Sequence, residues 1–181
     1  MAGIDSAQSA TGLAVELGIM ASNLDYLMVV VAELGKQHQY AGIGRYYQAE
    51  IKNAKGDFQL DNILFLPTVT EAEVKKWAAR DDVFLVIDCG NDMEQFFSIQ
   101  HFCTRSFLLC QLMPWRMDHI QLLMQEQRAE EINKLLVTCG KKRINDLRKK
   151  DKMKAWTWQE AEDPFSISTK RLRELYQLTF K

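Results

Sequence analysis

The feature that most constrains the fold is a run of apolar residues that begins at Val83. Residues 83–87 are all apolar, without polar alternation, which is typical of a short strand buried on both faces. A cluster of turn-forming residues, 88–91, follows it. Asn91, with Glu94 three residues later, has the residue types of a capping box. The pattern therefore predicts a buried strand, a turn and the start of a helix.

The helix predicted after this turn covers residues 92–113 and is apolar around most of its circumference. At helical spacing Phe96 and Phe107 fall on one side, whereas Phe102 and Leu109 fall on another. A helix that is apolar nearly all round is buried, with other elements packed against it. The stretch predicts a scaffold, and it carries no motif that identifies a reaction.

The other patterns predict an α+β, helix-dominated fold, with a small sheet packed on the buried central helix and a long helix after it. The predicted helices are residues 12–35 (in one or two parts), a short helix capped by Thr70 and Glu73, residues 92–113, residues 115–139, and residues 170–180 capped by Ser168 or Thr169. The predicted strands are residues 45–51, 58–66 and 83–87, with a helix as the alternative for residues 45–54.

Length and composition are those of an ordinary folded protein. The chain has 181 residues, 47% hydrophobic and 26% charged, and needs no metal or disulfide to bury a core. We find no signal peptide and no apolar run as long as the roughly 18 residues of a membrane span, so we expect no membrane insertion and a cytoplasmic location. The four cysteines have apolar surroundings and no CxxC spacing, so we expect reduced, buried thiols: Cys89, Cys103, Cys110 and Cys139.

Charge is divided unevenly along the chain and suggests two parts. Residues 1–140 hold 11 Lys/Arg against 18 Asp/Glu, a net −7, whereas residues 141–181 hold 12 against 6, a net +6. We therefore divide the chain into a globular α+β body, 1–140, and a basic helical C-terminal arm, 141–181, docked on the body.

The basic part of this arm is the best candidate for a binding site. Residues 141–154 carry eight Lys/Arg and two Asp, and two tryptophans follow. Cations at this density neutralise phosphates, and tryptophans stack on unpaired bases, but a protein partner, docking on the acidic body and a plain solvated face explain the same pattern. The candidate residues for nucleic-acid or partner binding are Lys141, Lys142, Arg143, Arg148, Lys149, Lys150, Lys152, Lys154, Trp156 and Trp158.

A second candidate lies at the end of the predicted central strand. Asp88 and Gly90 form an Asp-x-Gly that resembles the first phosphate motif of the actin-like and sugar-kinase ATPases, and an apolar strand ending in Asp resembles the haloacid-dehalogenase phosphatases. These resemblances imply a phosphate- or metal-dependent enzyme using Asp88 and Asp92. The first pattern lacks hydroxyl residues after the glycine, and in the second Gly90 stands where a second Asp is expected. A turn and helix cap explains the same residues, and we prefer that interpretation.

No pattern in the chain predicts a cofactor or a metal ion. His101 and Cys103 point nearly 200° apart on a helix and cannot share one ion there, and no phosphate-loop, zinc-protease or EF-hand motif occurs. We expect no enzyme, but a non-catalytic protein-interaction subunit or adaptor of a larger cytoplasmic assembly. Nucleic acid bound by the basic segment is the alternative partner, and the sequence leaves the oligomeric state open.

Overall fold

The computed structural model describes residues 1–3, 7–24, 28–35, 38–111, 134–138 and 155–181. The α-helices in these residues are α1 (Ala7–Ser22), α2 (Gln39–Tyr46), α3 (Glu71–Ala78), α4 (Met93–Ile99), which continues into a 3-10 turn (Gln100–Phe102), and α5 (Thr169–Phe180). The β-strands are β1 (Ala2–Gly3), β2 (Met28–Glu33), β3 (Phe58–Leu60), β4 (Ile63–Leu66), β5 (Val83–Asp88), β6 (Phe107–Gln111), β7 (Lys134–Thr138) and β8 (Ala155–Thr157).

These strands lie in two four-stranded sheets whose pairings are nearly all parallel. The strand orders are β3-β4-β2-β5 and β1-β6-β7-β8, and only β3 runs antiparallel to its neighbour. The short strand β1 also bonds to the chain just after β5. The Gly3 N–H donates to the Gly90 carbonyl at 2.7 Å, and the Cys89 N–H donates to the Met1 carbonyl at 2.8 Å. β1 therefore joins the two sheets.

Helices cover both faces of the joined sheets. Along β2, Val29 and Val31 pack in a core that includes α1, α2 and α5, whereas Val30 belongs to a cluster on the opposite side. That opposite face is covered by α3 and α4, which contribute Val74 and Phe96. Strands covered on both faces are apolar at successive positions. The predicted mixture of helices and sheet is present, but its helix-dominated character is not confirmed.

The strand predicted at residues 83–87 is confirmed as β5, but the buried helix predicted for residues 92–113 is correct only over its first turns and wrong after them. The helix α4 ends at Ile99, and residues 107–111 form β6, which pairs in parallel with β7. A short continuous apolar run looks the same in a buried helix and in a buried strand, so the sequence pattern could not separate the two. The central scaffold is therefore sheet where helix was predicted.

The helix predicted for residues 12–35 is correct only for its first half. α1 ends at Ser22, and residues 28–33 form β2, which pairs with both β4 and β5. A strand that is apolar at nearly every position also satisfies the three-and-four spacing of a helix. Three consecutive valines, 29–31, carried the decisive signal, because β-branched residues favour strands.

The strand predicted for residues 45–51 is wrong, and so is its helical alternative. α2 ends at Tyr46, and of the later residues in that range only Ile51 makes an isolated antiparallel bridge, to Phe58. The range 58–66, predicted as one strand, is a hairpin of β3 and β4. Its turn holds Asp61 at a φ of 49°, a left-handed conformation that Asp tolerates.

The long helix predicted for residues 115–139 is wrong near its end. Residues 134–138 form β7, which lies between β6 and β8 in its sheet. Leu136 and Val137 are buried there, one in each of the two main core clusters. The remainder of the predicted helix lies outside the described residues. Part of its apolar stripe is thus the apolar run of another buried parallel strand.

The helix caps are where the sequence was most informative. Thr70 and Glu73 form the predicted capping box at the start of α3. Ser168 caps α5, where its hydroxyl accepts the Arg171 N–H at 3.3 Å. At α4 the cap lies one residue later than predicted, because Asp92 accepts the Gln95 N–H at 3.0 Å. Caps depend on neighbouring residues alone, so local sequence specifies them.

The C-terminal part of the chain packs onto the rest through an ion pair. The Arg171 guanidinium in α5 donates to both carboxylate oxygens of Glu16 in α1, each at 3.0 Å, and Glu16 is 1% exposed. Burial raises the pKa of Glu16, and the bonds to Arg171 oppose that rise. The predicted boundary at residue 140 lies outside the described residues, so the division into body and arm stays a prediction.

Candidate functional site

The best position for a ligand site is a crevice at the carboxyl ends of β2 and β5. After β2 the chain turns into α2, which packs in the same core as α1, whereas after β5 it turns into α4 on the opposite face. Open α/β sheets bind ligands where neighbouring strands lead to opposite faces in this way. The last residues of the two strands, Glu33 and Asp88, are register partners and bring two carboxylates to this crevice.

Asp88 is 1% exposed and is held by three protein donors. The Thr11 hydroxyl donates to Oδ2 at 2.8 Å and the Tyr40 hydroxyl donates to the same oxygen at 3.2 Å. The Gly90 N–H donates to Oδ1 at 2.8 Å. Burial raises the pKa of the Asp88 carboxyl, while the bonds from Gly90 and Thr11 act in the opposite direction. Both oxygens of this carboxylate are therefore occupied within the protein.

Glu33 plays a similar internal part at the start of α2. It is 2% exposed, and its two oxygens accept the N–H groups of Gln39 at 2.9 Å and Tyr40 at 3.1 Å. The residue at the N-cap position, His38, makes no side-chain cap bond, so Glu33 supplies the cap from the neighbouring strand. Burial raises the pKa of Glu33, and the charge of Asp88 adds to the rise.

Tyr40 completes a four-residue group that we call the crevice network: Thr11, Glu33, Tyr40 and Asp88. The Tyr40 side chain is fully buried, and its pKa lies well above the ordinary value because of burial and the charge of Asp88. The network ties α1 and α2 to the ends of β2 and β5. Its hydrogen bonds give the buried carboxylates a structural role, since a buried charge needs such partners.

The two residues proposed for an enzyme, Asp88 and Asp92, have different hydrogen-bond partners. Asp92 lies at the start of α4 and accepts the Gln95 N–H, whereas Asp88 bonds to Thr11 in α1 and to Tyr40 in α2. The preferred interpretation, a turn followed by a helix cap, is what these residues form. Gly90 has a φ of 58° in this turn, a conformation that glycine adopts without strain.

Beside the network an open cleft of about 470 Å³ lies between α1, α2 and the segment before α5. Thr11 of the crevice network also lines this cleft, as does Gln39, whose N–H donates to Glu33. The volume falls within the range of small-molecule sites. We call this cavity the acidic–aromatic cleft. Its lining residues that carry charge or an aromatic ring are Tyr46, Tyr47, Glu160, Glu162, Asp163 and Phe165.

The acidic–aromatic cleft has a uniform sign of charge. No Lys, Arg or His is among the lining residues that the structure describes. The Tyr47 ring contacts that of Tyr46 at a centroid distance of 5.0 Å and that of Phe165 at 4.8 Å, and Tyr46 is 78% exposed. Burial, followed by the negative charge of Asp163, raises the pKa of the Tyr47 phenol. Carboxylate charge thus acts directly on the aromatic wall.

The sequence-predicted site residues divide between described and undescribed parts of the chain. Trp156 is half-buried against the main core. Trp158 is 7% exposed, and the Arg171 guanidinium lies 3.8 Å from its ring centroid, so its ring is covered. The other eight candidates lie outside the described residues: Lys141, Lys142, Arg143, Arg148, Lys149, Lys150, Lys152 and Lys154.

The prediction of reduced, buried cysteines is confirmed in part. Cys89, Cys103 and Cys110 form no disulfide; Cys89 and Cys110 are buried, Cys103 is only partly buried, and Cys139 lies outside the described residues. Burial raises the pKa of the Cys89 thiol to about 11, which keeps it protonated. Among the described residues no group of three or more His, Cys, Asp or Glu side chains could hold a metal ion.

Sequence reasoning missed the cleft because its walls come from distant parts of the chain. Tyr46 and Tyr47 lie in a range assigned to a strand, and the acidic stretch before Pro164 was assigned to the arm. Only the pairing of β8 with β7 and the packing of α5 on α1 bring the two walls together. Two adjacent tyrosines and a cluster of carboxylates were visible locally, but nothing local indicated that they meet.

Comparisons with known proteins add no family to these observations. No protein-family model, curated protein sequence or solved structure matches the chain. None of the helices in the described ranges is both long enough and apolar enough to cross a bilayer. The function is therefore argued from the site alone.

Proposed function

We propose that this protein is a non-catalytic interaction subunit of a larger assembly, and that it binds a protein partner at the acidic–aromatic cleft. The observation that carries the proposal is an open cleft that adjoins the carboxyl ends of β2 and β5 through Thr11, which donates to Asp88; folds of this kind place their ligands near that edge. The most exposed large apolar side chain in the described ranges, Tyr46 at 78%, stands at this cleft.

The contrast between occupied and available groups supports binding over catalysis. The buried carboxylates that resemble catalytic residues, Glu33 and Asp88, already accept hydrogen bonds from the protein. Two aromatic residues at the cleft, Tyr46 and Tyr47, are exposed large side chains that core packing does not explain. Tyrosine is enriched at protein interfaces because its ring is apolar and its hydroxyl stays hydrated.

A cytoplasmic location is part of the proposal. None of the described cysteines forms a disulfide, and two of them, Cys89 and Cys110, are buried. Unpaired thiols suit a reducing compartment.

Photo-crosslinking in the cells that produce the protein tests the proposal. Benzoylphenylalanine placed at Tyr46 should give a discrete cross-linked protein adduct, whereas the same group at Lys76, exposed on α3 on the opposite face, should not. Adduct formation at Tyr46 should fall when Tyr47 is replaced by Ser. Equal labelling at both positions, or no adduct at Tyr46, would count against a partner at the cleft.

Nucleic-acid binding by residues 141–154 is the second candidate, favoured by eight cations in this stretch. It predicts an affinity that falls steeply with salt and is lost when Lys149, Lys150 and Lys152 are changed to Glu. A mobility-shift titration at two salt concentrations measures both. Binding that ignores salt would remove this candidate.

A further inference from the structure

The chemistry of the acidic–aromatic cleft narrows the kind of partner it fits. Three carboxylates and three aromatic rings line it, and its described lining includes no basic residue. Glu162 and Asp163 are both exposed at the surface. A phosphate or another carboxylate brought here meets like charge, whereas a cation meets only complementary charge.

The aromatic side of the cleft favours an organic cation over a bare metal ion. Tyr46 and Tyr47 meet edge to face, with their ring planes at 80°, and Tyr47 also contacts Phe165. Rings around a cavity attract guanidinium and alkylammonium groups through their negative faces. The charge of Asp163 is already felt at the Tyr47 phenol. The carboxylates and the aromatic rings therefore line the same cavity, and a cation bound there would contact both.

The surroundings of the cleft favour a ligand that extends beyond it. The cleft is open to solvent, and the ring of its wall residue Tyr46 is 78% exposed. A small free cation would leave most of this ring in water, whereas a longer chain could cover it. Exposed apolar side chains next to a pocket are typical of contact with another macromolecule.

We propose that the acidic–aromatic cleft binds the arginine or lysine side chains of a basic polypeptide segment on the partner protein. The rings of Tyr46 and Tyr47 lie on one side of the bound cation, and the carboxylates of Glu160, Glu162 and Asp163 lie on the other. This inference rests on the proposed interaction function and specifies the partner's chemistry. Because both partners contribute exposed charges, the cleft should also accelerate encounter at low salt.

Fluorescence anisotropy with a defined probe tests the inference. The probe is a fluorescein-labelled peptide of alternating glycine and arginine, and its control replaces arginine with citrulline, which has nearly the same shape and no charge. The full-length protein should bind the arginine peptide and not the citrulline peptide. Equal binding of the two peptides, or no binding of either, overturns the inference.

Protein variants locate the binding. The triple variant Glu160→Gln, Glu162→Gln, Asp163→Asn should weaken peptide binding roughly tenfold, since several exposed ion pairs are lost together. Tyr46→Leu should weaken it about threefold and Tyr46→Phe should not, because phenylalanine keeps the ring. Glu94→Gln, an exposed carboxylate change on α4 at the opposite face, is the matched control and should leave binding unchanged.

Two further outcomes separate this inference from the proposed function. Free spermidine that displaces the peptide at concentrations equal to the peptide's own affinity would show that a small cation suffices, and would overturn the polypeptide ligand. A cross-link at Tyr46 that persists in the triple variant would leave an interaction subunit whose partner is not basic. Loss of the cross-link in the triple variant, together with peptide binding, supports both proposals.

Discussion

Two neighbouring groups of carboxylates in this protein have opposite surroundings. Glu33 and Asp88, in the crevice network, are buried and accept hydrogen bonds from hydroxyls and backbone N–H groups. Glu160, Glu162 and Asp163, at the acidic–aromatic cleft, are exposed on the other side of Thr11 and Gln39. The first group is enclosed by the fold, whereas the second is exposed to solvent, although Asp163 also accepts the Phe165 N–H at 2.9 Å.

The difference teaches that position in the fold does not alone identify a functional residue. Asp88 stands where α/β proteins place chemistry, and its Asp-x-Gly sequence resembles phosphate motifs. Its hydrogen bonds nevertheless link secondary-structure elements. The cleft carboxylates lie outside any motif, yet they share a cavity with exposed rings. Variants in the two groups should therefore separate stability from binding.

Removal of Asp88 should have the largest effect on stability. Asp88→Ala leaves the hydroxyls of Thr11 and Tyr40 and the Gly90 N–H without their acceptor. Loss of a buried, multiply bonded carboxylate should lower the free energy of unfolding by about 3 kcal/mol. Urea unfolding followed by circular dichroism measures it. Asp88→Asn, which keeps an acceptor for Gly90, should cost less, and equal stability of Asp88→Ala and wild type would refute the network.

Acidification should reveal the two buried carboxyls. Burial raises the folded-state pKa of both Glu33 and Asp88 above the ordinary value, so the folded protein takes up protons first. Their contribution is fully present below the ordinary carboxyl pKa and is lost as pH rises through the raised folded-state pKa.

The test compares wild type with Glu33→Gln/Asp88→Asn. The difference in unfolding free energy, wild type minus variant, should grow as the pH is lowered from about 7 to about 5, by up to roughly 1.4 kcal/mol for each pH unit between folded and unfolded pKa values. Urea unfolding across a pH series measures this. A difference that shrinks on acidification would mean that the two carboxyls titrate in the opposite direction.

Loss of the Tyr40 hydroxyl should have a smaller effect. Tyr40→Phe removes one donor to Asp88 at 3.2 Å, while Thr11 continues to donate to the same oxygen. The expected loss is about 1 kcal/mol, with the ring packing preserved. Thermal unfolding compares this variant with Tyr46→Phe, whose exposed ring lies at the cleft and whose stability should equal that of wild type. Equal losses in both variants would contradict the proposed difference between the two regions.

Neutralising a cleft carboxylate should have the smallest effect on stability. Glu162→Gln should change the free energy of unfolding by less than about 0.5 kcal/mol, as is usual for exposed positions. The same variant should weaken binding of the arginine peptide. Denaturant midpoints and peptide anisotropy, measured on one preparation, check both. A large loss of stability would place Glu162 among the structural carboxylates.

The sequence was most informative where structure depends on neighbouring residues. The capping box of Thr70 and Glu73, the Ser168 cap and the strand β5 follow from local patterns. It was least informative where a continuous apolar run could serve either element, as in β2 and β6. Parallel strands covered on both faces erase the alternation that separates strand from helix.

The candidate site was predictable only in fragments. Asp88 was identified from the end of its strand, but its partners Thr11 and Tyr40 are far away in sequence. The pairing of an acidic stretch with Tyr46 and Tyr47 depends on how β8 and α5 return to the body. The spacing of residues along the sequence does not show which distant segments come together in the fold.

The strand β1, which joins the two sheets, has a consequence for the order in which the protein can fold during synthesis. Ala2 and Gly3 pair with Leu108 and Leu109 and bond beside residues 89–90, so both neighbours of this strand are synthesised about a hundred residues later. At translation rates of about 5–20 residues per second, the strand waits roughly 5–20 seconds for its place in the sheet. The strand that joins the two sheets is thus synthesised before either of the segments to which it bonds.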